Sequence, residues 1–172
     1  MTASLDLLLL LSLATVVAAA LVGRDRPGGW VMLGFYCAQL VALFALDPAA
    51  ESHARLELTL LGEPLTWRFD GLSLFFAMVT LGAAALVTWF AAGAWSARLR
   101  EQGKNTRGLH LALALNVLAM LLLLGAGDLL SLFIGWELVS WAGLLLMIPG
   151  GRQAVQAGIR YITYAIAGGM AV

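Results

Sequence analysis

From Leu129 to Ile148 the chain reads LLSLFIGWELVSWAGLLLMI, and the only charge in these twenty residues is Glu137. A helix rises about 1.5 Å per residue, so the run just crosses the roughly 30 Å hydrocarbon core of a bilayer. Glu137 then lies about 12 Å from one end, close to the midplane. A carboxylate at that depth is costly unless it is paired, hydrated or protonated. It is therefore the first candidate for function in this sequence.

Composition extends the membrane reading to the whole chain. Of 172 residues, 62% are hydrophobic and 12% charged, and the mean hydropathy is +0.92. Soluble domains carry about 25% charge, so an all-α integral membrane protein is expected. A formal net charge of zero argues against nucleic acid or an acidic surface as partner. The single cysteine, Cys37, sits in an apolar run, where a small packing residue is expected and no disulfide within the chain is available. Met1 to Leu5 lacks a basic stretch, so the apolar run that follows reads as a retained first helix rather than a signal peptide.

About six spans are predicted. They run over Leu5–Val22, Trp30–Leu46, Gly71–Trp95, Leu109–Ala126 and Leu129–Ile148, with a sixth from near Gln153. Proline at Pro48 closes the second, and Asp128 caps the fifth. The sixth is still apolar at Val172, so the chain is expected to end inside the membrane, as a fragment of a larger subunit does. Loop charge sets the orientation. Arg24, Arg26, Arg98, Arg100, Lys104, Arg107, Arg152 and Arg160 fall on one side, against Arg55 and Arg68 on the other. The positive-inside rule puts the first group in the cytoplasm and the N-terminus outside. Leu56–Phe69 is too polar and too short to span. Its alternating leucines and the Gly62-Glu63-Pro64 turn predict a small external β-hairpin. The resulting division is 1–54 (two spans), 55–69 (hairpin), 70–108 (third span and basic loop) and 109–172 (spans four to six).

The polar residues at membrane depth are few. Glu137 reads as a protonatable site on an ion path; the plainer alternative is a hydrogen bond that pins helix packing. Ser140, one turn on, is placed to orient the carboxylate or hold a water. Asn116 on the fourth span comes within about two turns of Glu137 in depth, either as an interhelical hydrogen bond or as part of a hydrated path. His110 marks the start of that helix, as an interfacial residue or a proton relay. Arg160 either snorkels to the interface or faces Glu137 as a counter-ion, with Tyr161, Thr163 and Tyr164 beside it. Gln39 reads as a packing contact, and Asp70 as an N-cap. Gly168-Gly169 permits close helix approach. No metal-ligand cluster, phosphate-cradling glycine loop or nucleophile set is present, so no cofactor, metal or catalytic redox chemistry is expected of this chain.

Three stretches, TWRFDGLSLFFAMV, GAGDLLSLFIGWELVSWAGLLLM and AGIRYITYAIAGGMAV, are similar in order and spacing to the proton-conducting membrane transporter family. The family comprises the antiporter-like subunits of respiratory complex I, membrane-bound hydrogenases and Mrp-type Na⁺/H⁺ antiporters. The most specific element is Asp128 to Glu137, supported by Phe69 to Ser73, and the resemblance covers Arg68 to Val172. It implies about fourteen helices with two inverted five-helix repeats. It also implies that Glu137 is the family's fifth-helix glutamate, whose lysine partner stands on a later helix beyond Val172. Where some members carry Arg-x-x-Asp near the sixth helix, this chain has Ile166-Ala167-Gly168-Gly169, closer to the smaller antiporter-like or Mrp-D-like branches.

The expected function is therefore H⁺ translocation, with Na⁺ as a candidate exchanged ion, by protonation switching at Glu137. Asn116, Ser140, Arg160 and His110 form the supporting polar path. The expected setting is a multisubunit complex in the inner (cytoplasmic) membrane, with other membrane subunits and lipid as partners. Two alternatives stay open: a proton-gradient-driven subunit of an inorganic-carbon uptake complex, and a non-conducting structural or assembly subunit.

Overall fold

The computed structural model describes residues 5–21, 27–47, 49, 51–55, 58–60, 62–95, 101 and 106–169. Arg24, Arg26, Arg98, Arg100 and Lys104, which carry most of the orientation argument, lie outside the described residues, as do Leu56 and Glu57. Six α-helices are described: α1 (Leu5–Leu21), α2 (Pro27–Phe44), α3 (Gly71–Phe90), α4 (Thr106–Leu124), α5 (Leu129–Met147) and α6 (Arg152–Gly169). Among the described residues, three helices are long and apolar enough to cross a membrane: α4, α5 and α3 with its extension to Gly93. Helices α1 and α2 are apolar but shorter. Helix α6 carries Arg152, Gln153, Gln156 and Arg160 in its first half.

The helix ends follow local chemistry. The carboxylates of Asp70 and Asp128 accept the backbone N–H groups of Ser73 and Ser131, capping α3 and α5. At its far end α3 passes into a π turn (Ala91–Trp95), in which Gly93 leaves helical geometry at φ −82° and ψ −146°. The third span is thus kinked near its end rather than straight to Trp95.

Helices α1 to α4 close a ring, α1 on α2, α2 on α3, α3 on α4 and α4 back on α1. Their inward stripes repeat every three or four residues, as helical periodicity requires. Examples are Leu5, Leu8, Ser12, Thr15 and Ala19 on α1, and Leu74, Ala77, Leu81, Ala84 and Thr88 on α3. The main core draws on these four helices and on Trp67 and Phe69. Helix α5 packs on the outer side of α4, and α6 packs on α5, forming an arm beside the ring. Cys37 is exposed on the outer face of α2, contrary to the packing role expected of it. Apolar surroundings in sequence do not tell which face of an apolar helix turns outward.

The predicted hairpin forms, with a different turn. Strands β1 (Ser52–His53) and β4 (Arg68–Phe69) pair antiparallel, and inside them β2 (Leu58–Leu60) pairs with β3 (Glu63–Leu65). Glu63 and Pro64 belong to a strand, Pro64 lying opposite Thr59, and the reversal falls between Leu60 and Glu63. Gly62 takes φ +87°, a conformation that only glycine adopts cheaply. Pro64 is tolerated because a two-stranded ladder is all edge. Alternate residues Trp67 and Phe69 point inward and are buried, which anchors the hairpin on the ring.

Candidate functional site

The site is built on the contact faces of α4, α5 and α6. Helix α5 starts at Asp128, whose carboxylate gathers four hydrogen bonds. The backbone N–H and hydroxyl of Thr66 each donate at 2.7 Å, and those of Ser131 each donate at 2.8 Å. Partial burial works against ionisation of Asp128, but these donors outweigh it and hold the carboxyl well below the usual carboxylate range. The same clasp ties the hairpin to the α4–α5 turn. It is reinforced by Arg68 N–H donating to Gly125 O and Gly127 N–H donating to Thr66 O. Sequence reading found Asp128 as a cap but missed Thr66. The available signal was a threonine just ahead of the Trp67–Ser73 stretch.

Two residues before Glu137, α5 meets α4 at its closest. A methyl group on Gly135 would stand 2.7 Å from Leu123 Cα, so only glycine allows this approach. That contact sets the antiparallel register and brings Glu137 level with about Leu121. Asn116 lies about 8 Å further along α4, on the stripe with Ala112, Ala119 and Leu123 that packs on α5. It comes nearly level with Ser140. Asn116 and Glu137 are both half-buried.

Glu137 itself turns toward α6. A methyl group on Gly169 would lie 2.8 Å from its Oε1, so the carboxylate rests against the bare backbone of α6. It forms no hydrogen bond or ion pair with another described residue. Ser140 is buried, yet its hydroxyl donates to Trp136 O at 3.0 Å, its own helix, rather than to Glu137. Trp141, on the adjoining face, is exposed.

Arg160 does not meet Glu137. The α5–α6 register runs through Gly143 beside Tyr161 and Gly158 beside Leu144 and Met147, ending at Gly169 beside Glu137. Arg160 therefore stands nine residues from the level of the carboxylate, about 13 Å along α6, and is exposed. Thr163 donates to Ile159 O in its own helix. His110 is buried in the first turns of α4, on the ring-facing stripe with Ala114, Val117 and Leu121, and is about 16 Å along the axis from the level of Glu137. Of the five predicted site residues, Glu137 faces α6 at Gly169, Ser140 bonds its own helix, Asn116 lies on the α4 stripe toward α5, and Arg160 and His110 stand more than two turns from the level of Glu137. Among the described residues, no group of three or more His, Cys, Asp or Glu side chains is placed to hold a metal ion.

No family model matches the chain. It is 30% identical over 158 residues to NADH-quinone oxidoreductase subunit N 2 of Solidesulfovibrio magneticus, an alignment covering 90% of this chain and 30% of that protein. The chain thus spans about a third of the length of this relative. Its fold is similar to a chain in the structure of the membrane-bound sulfane sulfur reductase, an archaeal respiratory membrane complex. The TM-score is 0.75 at 21% identity, over 95% of this chain and 25% of that one.

Three helices long and apolar enough to span, together with these likenesses to subunits of respiratory membrane complexes, support a multi-pass helical membrane protein. These likenesses agree with the resemblance of the sequence to the antiporter-like subunits of respiratory complex I and its relatives.

Proposed function

We propose that the chain is part of an antiporter-like subunit that moves H⁺ across the membrane within a larger complex, and that Glu137 carries the proton. The observation that supports this reading is the environment of Glu137. The carboxylate lies on a spanning helix, has no ion pair with a described residue and faces the bare backbone of Gly169. A carboxylate in such a place gains much from a proton or from an approaching cation, so its charge state responds to events elsewhere in the complex. Asn116, Ser140, His110 and Arg160 act further along the route. Helices α1 to α5 span the inner membrane with the N-terminus outside and α6 enters it, other membrane subunits complete the path, and Na⁺ is the candidate counter-transported ion.

The test is Glu137→Gln in the full-length native subunit within its complex, reconstituted into proteoliposomes. The amide keeps size and hydrogen bonding but cannot ionise. Proton transport coupled to turnover should fall at least about tenfold, the scale of removing one group from a proton-transfer step, with assembly intact. Unchanged transport would sink the conduction reading, and loss of assembly alone would favour a structural subunit.

A further inference from the structure

The interior of the α1–α4 ring contains polar groups that Glu137 and its neighbours do not use. Ser12 and Thr15 lie on the inward stripe of α1, Tyr36 and Gln39 on that of α2, and Thr88 on that of α3, all at most 1% exposed. Gln39 Nε2 donates to Thr15 Oγ1 at 2.7 Å, and Thr15 Oγ1 donates to Leu11 O at 2.7 Å. This cross-helix bond fixes the level of the two helices. Ser12 lies one turn from Thr15, and Tyr36 one turn from Gln39 on the same inward face. On the other side α2 touches α3 where Gly29 abuts Ala92. Thr88, one turn inside that contact, comes level with Leu33, about one turn from Tyr36.

Among the described residues, Ser12 Oγ, Tyr36 Oη, Gln39 Oε1 and Thr88 Oγ1 are buried without a hydrogen-bond partner. A buried polar atom left unpaired is destabilising, and folded chains rarely keep several on one interior seam. Rotating a serine or threonine hydroxyl onto its own helix could satisfy it locally; Tyr36 Oη and Gln39 Oε1 have no such local acceptor or donor. The groups on this seam are mixed. Hydroxyls both donate and accept, Gln39 Oε1 accepts, and the Gln39 amide carries a second N–H besides the one given to Thr15. A cation needs acceptors alone, whereas water matches both kinds. We propose that the interior of the α1–α4 ring binds water molecules that bridge Ser12, Tyr36 and Gln39. This hydrated seam is separate from the carboxylate on α5, which lies on the outer side of α4, and it does not depend on the function assigned to Glu137.

Hydroxyl radicals generated from bound water by X-ray pulses label side chains next to that water, even deep in a protein. The full native chain in its complex, in lipid nanodiscs, should show Tyr36 labelled several-fold faster than Met32. Met32 is equally buried on the same helix, packs in an apolar cluster and is intrinsically the more reactive residue. Tyr36→Phe should lower the melting temperature by about 3 °C, because it strips a partner from the bridged water. In a dry interior the same substitution removes an unpaired hydroxyl, so it should raise the melting temperature while Tyr36 stays as unlabelled as Met32. That result would overturn the proposal. A melting temperature that rises with NaCl but not with choline chloride, and loses that dependence in Gln39→Leu, would replace the water with a bound cation and also overturn it.

Discussion

Glu137 stands where a single methyl group could displace it. Gly169→Ala would place a Cβ 2.8 Å from Oε1, but the obstacle is the far end of a flexible side chain. The carboxylate should swing away while the helices hold. Proton transport by the reconstituted complex should drop several-fold, and the melting temperature should move by less than about 2 °C, as for substitutions that leave the packed core alone. A large thermal shift with normal transport would argue that Gly169 serves packing only. Asp128 has the opposite character, since its carboxylate is fully engaged by Thr66 and Ser131. Its folded pKa lies below the ordinary value of 3.8, so the stability it contributes is complete above that value and drains away as pH falls through the folded pKa. Asp70, held low chiefly by the Ser73 N–H, adds to the same acid limb. Asp128→Asn should lower the melting temperature near neutral pH and give a shallower fall between about pH 5 and pH 3 than the parent chain. Parallel acid limbs would remove Asp128 from this role.

Between elements, close approach decides more than hydropathy does. Helices α4 and α5 touch at Gly135, where an added methyl would meet the backbone of Leu123 at 2.7 Å. Backbone cannot yield as a side-chain tip can. Gly135→Ala should therefore cost about 1–3 kcal/mol and tilt α5, carrying Glu137 with it. Calorimetry of the purified complex and transport should fall together. Gly143→Ala on the same helix is the control, because its methyl would rest at an ordinary 3.5 Å from Tyr161 Oη. The existence and approximate limits of all six helices were legible in sequence, since long apolar runs bounded by glycine, proline and charge leave few alternatives. The reach of each helix contact was not legible, because 3.6-residue periodicity is nearly silent when every face of a helix is apolar. Cys37 was expected inside and faces outward for that reason. The hairpin was legible as alternation, but its turn was shifted: Gly-Glu-Pro reads as a loop until pairing of Leu60 with Glu63 moves the reversal ahead of Glu63, where Gly62 takes a positive φ.

The described residues form a four-helix ring with a two-helix arm, tied at the hairpin end by the polar clasp at Asp128. Phe69, fully buried, plugs the junction of the hairpin with the ring, its edge against Gly125. Phe69→Ala should cost about 3–5 kcal/mol and expose the hairpin to limited proteolysis before the helices melt; resistance equal to the parent would show that the hairpin is held by its backbone bonds alone. At this scale the sequence by itself determined the class, a helical membrane chain with a costly carboxylate at mid-depth, and the motif from Asp128 to Glu137 that carries the family likeness. Bilayer thickness and backbone hydrogen bonding make those properties readable from a linear string. Only the tertiary structure decided that α5 and α6 lie outside the ring, that Glu137 faces Gly169 rather than Arg160, and that Thr66 holds Asp128. Those facts depend on helix register and on which of several apolar faces meet. Contacts between residues tens of positions apart set both, and no local run of sequence encodes them.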